Sequence, residues 1–301
     1  MMRKDGNEMN FMTPAEVAVG ICNAGKAKAE MPFLKMLVMG ILAGVYIGFG
    51  ANLATKVGSA TDADSAIGIF LFGAVFSVGL MMVVIAGSEL FTGNNLFCFA
   101  SALNGQASWG GLLYNWVVVW CANFIGSVLL VYIIFGGMYW IGGDGALTAH
   151  GIKALAIAKG KLSLTWGTAF LRGICCNWLV CLAVWMAFAG KDVVSKVFAI
   201  FFPIMAFVSS GFEHSVANMF FIPMGITIAN AAPELAGAAM NMTTDQVLAM
   251  YNYGHFFVAN LIPVTLGNIV GGALFVGGFY WYVFLRKPAG AAVQEKKAAN
   301  A

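Results

Sequence analysis

Apolar residues fill six long runs of the chain, separated by short polar stretches. The runs fall near 34–54, 67–104, 112–141, 165–189, 194–232 and 254–285. A helix needs about 20 residues to cross the hydrocarbon core of a bilayer. The second and fifth runs exceed what one simple span needs, and each carries polar residues in its middle. In the second these are Gly87-Ser88-Glu89-Leu90-Phe91-Thr92-Gly93-Asn94-Asn95; in the fifth, Ser209-Ser210-Gly211-Phe212-Glu213-His214-Ser215-Val216-Ala217-Asn218. Irregular backbone at membrane depth survives only inside protein or beside a water-filled cavity. The pattern therefore predicts six membrane helices, the second and fifth broken, with both breaks facing one interior.

A surface helix is predicted ahead of the spans. Thr13-Pro14-Ala15-Glu16 has the form of a capping box, with Thr13 at the N-cap, Pro14 at the first helical position and Glu16 reaching back. Val17 to Ala29 is weakly amphipathic and stops before Pro32. Such a helix lies at the membrane interface or covers a pore mouth.

Composition agrees with the pattern. Of the 301 residues, 60% are hydrophobic and 10% charged, against about 25% charged in an ordinary soluble domain. This excludes a soluble enzyme, a nucleic-acid binder and a disordered chain. The net charge of +3 is too small to suggest a polyanion partner. The cysteines (Cys22, Cys98, Cys121, Cys175, Cys176 and Cys181) form no CxxC pair and no metal spacing with histidine, so no metal or cofactor is expected. Residues 1–30 are polar and contain Asp5, Glu8, Glu16 and Glu30, unlike a secretory signal peptide.

The basic residues predict orientation. Arg3, Lys4, Lys26, Lys28, Lys35, Lys191, Lys196, Arg286, Lys287, Lys296 and Lys297 fall on one side; Lys56, Lys153, Lys159 and Lys161 fall on the other. The bias puts both termini in the cytoplasm. Arg172 stands alone in the fourth span, at a subunit contact or reaching the interface.

The two halves repeat. Gly87-x-Glu89-x4-Asn94 matches Gly211-x-Glu213-x4-Asn218, 124 positions later. Asn115-x7-Asn123 matches Asn260-x7-Asn268, 145 positions later. A weaker match sets Leu42-x-Gly44 against Leu171-x-Gly173, 129 positions later. Each half has three spans, so the second must be inverted. The expected architecture is an all-α membrane protein, an inverted 3+3 repeat with halves at 34–141 and 165–285. Residues 1–33 form its N-terminal helix region, 34–286 one transmembrane domain and 287–301 a tail. Inverted repeats with one broken helix per half belong to transporters and channels, with the site at the midplane where the breaks meet.

Those motifs carry a family resemblance. Gly211-Phe212-Glu213-His214-Ser215-Val216-Ala217-Asn218-Met219 with Phe221-Ile222-Pro223-Met224-Gly225, Asn260-Leu261-Ile262-Pro263-Val264-Thr265-Leu266-Gly267-Asn268 and Glu89-Leu90-Phe91-Thr92 resemble the formate/nitrite transporter family over about 12–286. The resemblance implies an aquaporin-like protomer in a homopentamer of the inner membrane. It also implies passage of formate, nitrite or hydrosulfide, formate being the branch the fifth-span run is most similar to. No Asn-Pro-Ala motif of an aquaporin occurs.

The resemblance also assigns residues. It makes His214 the central pore histidine, with the Thr92 hydroxyl facing it. Phe76, Leu80 and Phe207 become apolar constrictions, and Leu90 and Phe91 lie on the first break. Asn177 and Asn268 become pore-flanking amides, and Lys161 a vestibule cation that concentrates anions. Physical chemistry adds a mechanism. An anion is costly to move through an apolar pore, so His214 either protonates it or holds it by a charge-assisted hydrogen bond. Glu89 and Glu213 are expected to support the breaks by satisfying free backbone groups, with proton carriage as the alternative, and Asn94 and Asn218 are expected to support the breaks as interhelical glue. Asn115, Asn123 and Asn260 are expected as interhelical glue. A haem-anchoring redox subunit is the alternative from another class, and it needs an axial pair on facing helices, for which only His214 and His255 are near the membrane.

Overall fold

A computed structural model describes residues 10–286. Arg3, Lys4, Lys287, Lys296, Lys297 and the expected 287–301 tail lie outside those residues. The described chain is almost wholly helical. Five helices are long and apolar enough to cross a membrane: α2 (Phe33–Gly58), α3 (Ala66–Gly87), α5 (Trp109–Gly136), α7 (Trp166–Ala189) and α12 (Tyr253–Phe284). Three more pieces complete the two long apolar runs. After α3 the chain breaks and resumes as α4 (Phe91–Leu103). The fifth run is α8 (Val193–Ser209), a break, then α9 (Ser215–Ala231), and the short helices α10 (Pro233–Met240) and α11 (Thr244–Met250) lead on to α12.

Both breaks have the same local cause. Gly87 and Gly211 take positive φ, +87° and +69°, a conformation costly for residues with a Cβ. Each stops its helix, and the chain runs extended to Leu90 or His214 before the next helix starts.

α1 (Pro14–Ala29) forms the expected capping box. The Thr13 N–H and hydroxyl donate to the Glu16 carboxylate at 2.7 and 2.8 Å. These bonds, the backbone one first, hold the Glu16 carboxyl below its usual pKa. A second amphipathic helix, α6 (Ala149–Leu162), lies between the third and fourth predicted spans, opened by Thr148 as N-cap. It is the repeat counterpart of α1.

The span pairs approach through glycine. A Cβ on Gly126 would strike the Ile41 carbonyl, and one on Gly271 the Ile174 carbonyl. These two contacts are each other's mates. They set span 1 against span 4 at 133 positions rather than the 129 read from Leu42 and Gly44. The weak sequence match was displaced by four residues, one helical turn, because glycines recur at i+4 along a packed helix stripe. At the corrected spacing Lys28 pairs with Lys161, Met39 with Arg172, Gly40 with Gly173, and Gly44 with Asn177.

Candidate functional site

The breaks bring two helix N-termini toward one point. α4 and α9 both start there, and their free N–H groups carry partial positive charge. Asn123 and Asn268 hold the breaks in the same way. The Asn123 Oδ1 accepts the Phe91 N–H at 2.9 Å, and its Nδ2 donates to the carbonyls of Gly40 and Glu89. The Asn268 Oδ1 accepts the Ser215 N–H at 2.8 Å, and its Nδ2 donates to the carbonyls of Gly173 and Glu213. All three groups of each break thus find a partner without water. Asn123, read from sequence as glue, does the same work as Asn268.

Each glutamate is locked as well, though not by the free backbone groups expected of it: Asn123 and Asn268 take those, and the carboxylates meet only side chains. Glu89 meets Lys28 Nζ at 2.7 Å and accepts from Asn94 Nδ2. Glu213 meets Lys161 Nζ at 2.9 Å and accepts from Asn218 and Asn260. Asn115 donates to the Lys28 carbonyl, and Asn260 to that of Lys161. Lys28 and α6 were the parts not read from sequence. The signal was available: Lys28 precedes Lys161 by the 133-residue spacing that the true span alignment gives.

Both glutamate side chains are about 4% exposed. Removing the lysine from such a pair strands a buried carboxylate, at a cost of about 3–5 kcal/mol for full burial. Lys161→Met is therefore expected to lower thermal stability in detergent markedly. Adding Glu213→Gln to the same variant is expected to restore most of it. Equal melting of the two variants would contradict the pairing.

His214 and Thr92 meet at 3.0 Å across the two breaks, Oγ1 to Nε2. His214 is the N-cap of α9, and its Nδ1 accepts the Ala217 N–H at 3.0 Å. An acceptor Nδ1 carries no proton, so the neutral ring bears its hydrogen on Nε2 and donates it to Thr92. The Thr92 hydroxyl hydrogen then has no protein acceptor among the described residues.

One cavity reaches His214 and another lies against Leu90 and Gly93 of the first break; Thr92, fully buried between them, lines neither. The first, of about 300 Å³, is lined by His214, Glu213, Phe76, Phe207, Lys161 and Arg172, among others. The other, of about 340 Å³, is lined by Leu80, Leu90, Glu89, Lys28, Phe97 and Lys196, among others. Phe76 and Leu80 are one turn apart on α3, and each closes a different cavity. Phe76 packs edge-on against Phe207 at 5.8 Å between ring centres, and Phe207 stacks on the His214 imidazole at 5.9 Å.

The remaining candidates sit elsewhere. The Phe91 ring packs edge-on against Trp116, and Phe91 lines neither cavity. Asn177 is fully buried, its Nδ2 donating to the carbonyls of Thr92 and Asn268 and to Asn95 Oδ1. It fastens α7 to both breaks. Asn268 is likewise spent on backbone groups. Neither amide lines the two cavities. His255 is part-exposed at the start of α12, its Nδ1 on the Met250 carbonyl. His214 spends both nitrogens within the break, so the two histidines are no axial pair. No group of metal-ligating side chains occurs among the described residues.

The family described as formate/nitrite transporter matches residues 15–282. A protein described as a probable formate transporter, from Methanothermobacter thermautotrophicus, is 45% identical over 92% of this chain and 99% of its own. The formate channel FocA of Escherichia coli K12 is 38% identical over 94% of this chain and 98% of its own. A solved pentameric formate channel with formate bound superposes with a TM-score of 0.72 at 41% identity, covering 84% of this chain and 98% of that one.

Proposed function

The chain belongs to the formate/nitrite transporter family, and on that premise we propose that it carries formate across the inner membrane through one pore in each protomer of a homopentamer. It is a channel or transporter, not an enzyme. The pentamer and the substrate are supported by similarity to the formate-bound pentameric channel. Lipid surrounds the assembly, and the lysine-rich face with α1 is assigned to the cytoplasm on the positive-inside bias.

One observation carries the mechanism: the His214–Thr92 pair sits where two helix N-termini meet, between the two cavities. The helix ends favour negative charge. The Thr92 hydroxyl has a hydrogen to give, and Nε2–H has another once Thr92 turns aside. An anion reaching this point can accept both. Phe76, Phe207, Leu80 and Leu90 exclude the water that would let hydrated ions follow.

Geometry favours holding over protonation. To become imidazolium, His214 needs a proton on Nδ1, where the Ala217 N–H already points. Proton donation would therefore cost the α9 cap. The anion crosses hydrogen-bonded to Thr92 and His214, and any proton it carries comes from solvent. Nitrite and hydrosulfide are the other substrates within the family. The formate relatives at 45% and 38% identity favour formate.

Proteoliposomes loaded with buffer test this directly. Uptake of formate is expected to be fast and to exceed chloride uptake by at least tenfold, because formate can take a proton from solvent and chloride cannot, so only chloride must bear full ionic desolvation in a dry pore. Chloride flux equal to formate flux would overturn the reading.

A further inference from the structure

The two mouths are built from repeat-equivalent residues, but their charges differ at one pair. Met39 lines the cavity on the α1 side, and its mate Arg172 lines the cavity on the α6 side. The obvious cation of the α6-side mouth, Lys161, is compensated. Its Nζ lies 2.9 Å from Glu213 and 5.5 Å from the centre of the Phe221 ring. Arg172 is exposed, and among the described residues it makes no ion pair. The uncompensated positive charge of this mouth is therefore that of Arg172.

We propose that Arg172 is the anion-docking and selectivity residue of the α6-side mouth, taking planar anions with two oxygens before they pass Phe76 and Phe207 to His214. The proposal rests on the formate-pore reading and deepens it. A guanidinium offers two parallel N–H donors at the spacing of two oxygens on one atom, a fit that a lysine ammonium lacks. Formate and nitrite both present such a pair of oxygens. Hydrosulfide presents one sulfur and gains only the charge. Phe72, Phe76, Phe207, Phe212 and Phe221 supply much of the cavity wall. Low-dielectric walls around an uncompensated charge concentrate anions at the entrance.

The opposite mouth lacks this group. Met39 carries no charge, Lys28 is paired with Glu89, and the remaining cation, Lys196, is an ammonium with Nζ on the Ala187 carbonyl at 3.0 Å, a point charge without the planar fork. The inverted repeat thus gives one backbone scaffold with two chemically unequal ends.

The test compares wild type, Arg172→Met and Arg172→Lys in proteoliposomes, reading initial uptake of formate, nitrite and hydrosulfide against concentration and ionic strength. Arg172→Met copies the residue of the other mouth. It is expected to raise the half-saturating formate and nitrite concentrations roughly fivefold, the scale of one exposed charged contact. Hydrosulfide is expected to change by less than about twofold, since it has no oxygen pair to lose. Arg172→Lys is expected to keep the ionic-strength dependence and lose the oxyanion preference. Equal shifts for all three anions, or none, would overturn the proposal. If wild type passes formate and Arg172→Met saturates identically, only this proposal fails. If wild type passes no formate, the pore reading fails with it. Should Arg172→Met not assemble, the charge-conserving Arg172→Lys decides: retained oxyanion preference sinks the docking role.

Discussion

Replacing His214 by asparagine is expected to leave the fold intact and reduce formate flux on the order of 10–100-fold, the range of a charge-assisted hydrogen bond of about 1.5–3 kcal/mol. The logic separates two jobs of one side chain. As N-cap of α9, His214 accepts the Ala217 N–H through Nδ1. Asparagine is among the best N-caps and can do this. As partner of Thr92, His214 extends Nε2 to the facing break. Asparagine is too short to reach there. His214→Ala loses both jobs, so it should show the same flux defect and also a stability loss of about 1 kcal/mol from the missing cap. The measurement is formate uptake into proteoliposomes, with size-exclusion chromatography to check assembly. Unchanged flux in a well-assembled asparagine variant would remove the histidine from the mechanism.

Asn268→Ala is expected to destabilise the protein by about 3–5 kcal/mol. The substitution strands the Ser215 N–H and the carbonyls of Gly173 and Glu213 together. Each buried group left unpaired costs about 1–3 kcal/mol. Asn123→Ala strands the equivalent Phe91 N–H and the carbonyls of Gly40 and Glu89, and the same loss is expected. The two sites share no partner, so the double variant should lose the sum. Chemical denaturation in detergent reads these differences. A loss below about 1 kcal/mol for either single variant would mean that water enters the break and replaces the amide.

Much of this protein is legible along the chain. The second and fifth apolar runs are too long and too polar in the middle to be plain spans, and both break where Gly87 and Gly211 turn. The Glu–Asn motifs of the two halves occupy equivalent places. Thr13 and Glu16 form the cap their spacing predicts.

Other features were legible only in part. The third repeat match slipped by one turn, because small residues on a helix stripe recur every four positions and a local match cannot tell one turn from the next. That slip hid Lys28 as the mate of Lys161 and Met39 as the mate of Arg172. Asn123 was read as interhelical glue and Asn268 as a pore amide, yet the two make the same three hydrogen bonds. A side-chain amide looks alike in sequence whether it faces a cavity or a backbone.

The sequence by itself determined that this chain lives in lipid, that it folds as two related halves, and that ionisable chemistry at depth falls largely in two breaks. Those are properties of local composition and spacing, which burial and backbone hydrogen bonding enforce on any fold. The tertiary structure alone decided which amide holds which break, which lysine neutralises which glutamate, and that one mouth keeps a free arginine. It also decided that the Nδ1 of His214 is committed to its own helix while Nε2 reaches Thr92, 122 residues away. Such pairings depend on how helices distant in sequence rotate and slide against each other, and a few ångströms of translation change them without changing the pattern along the chain.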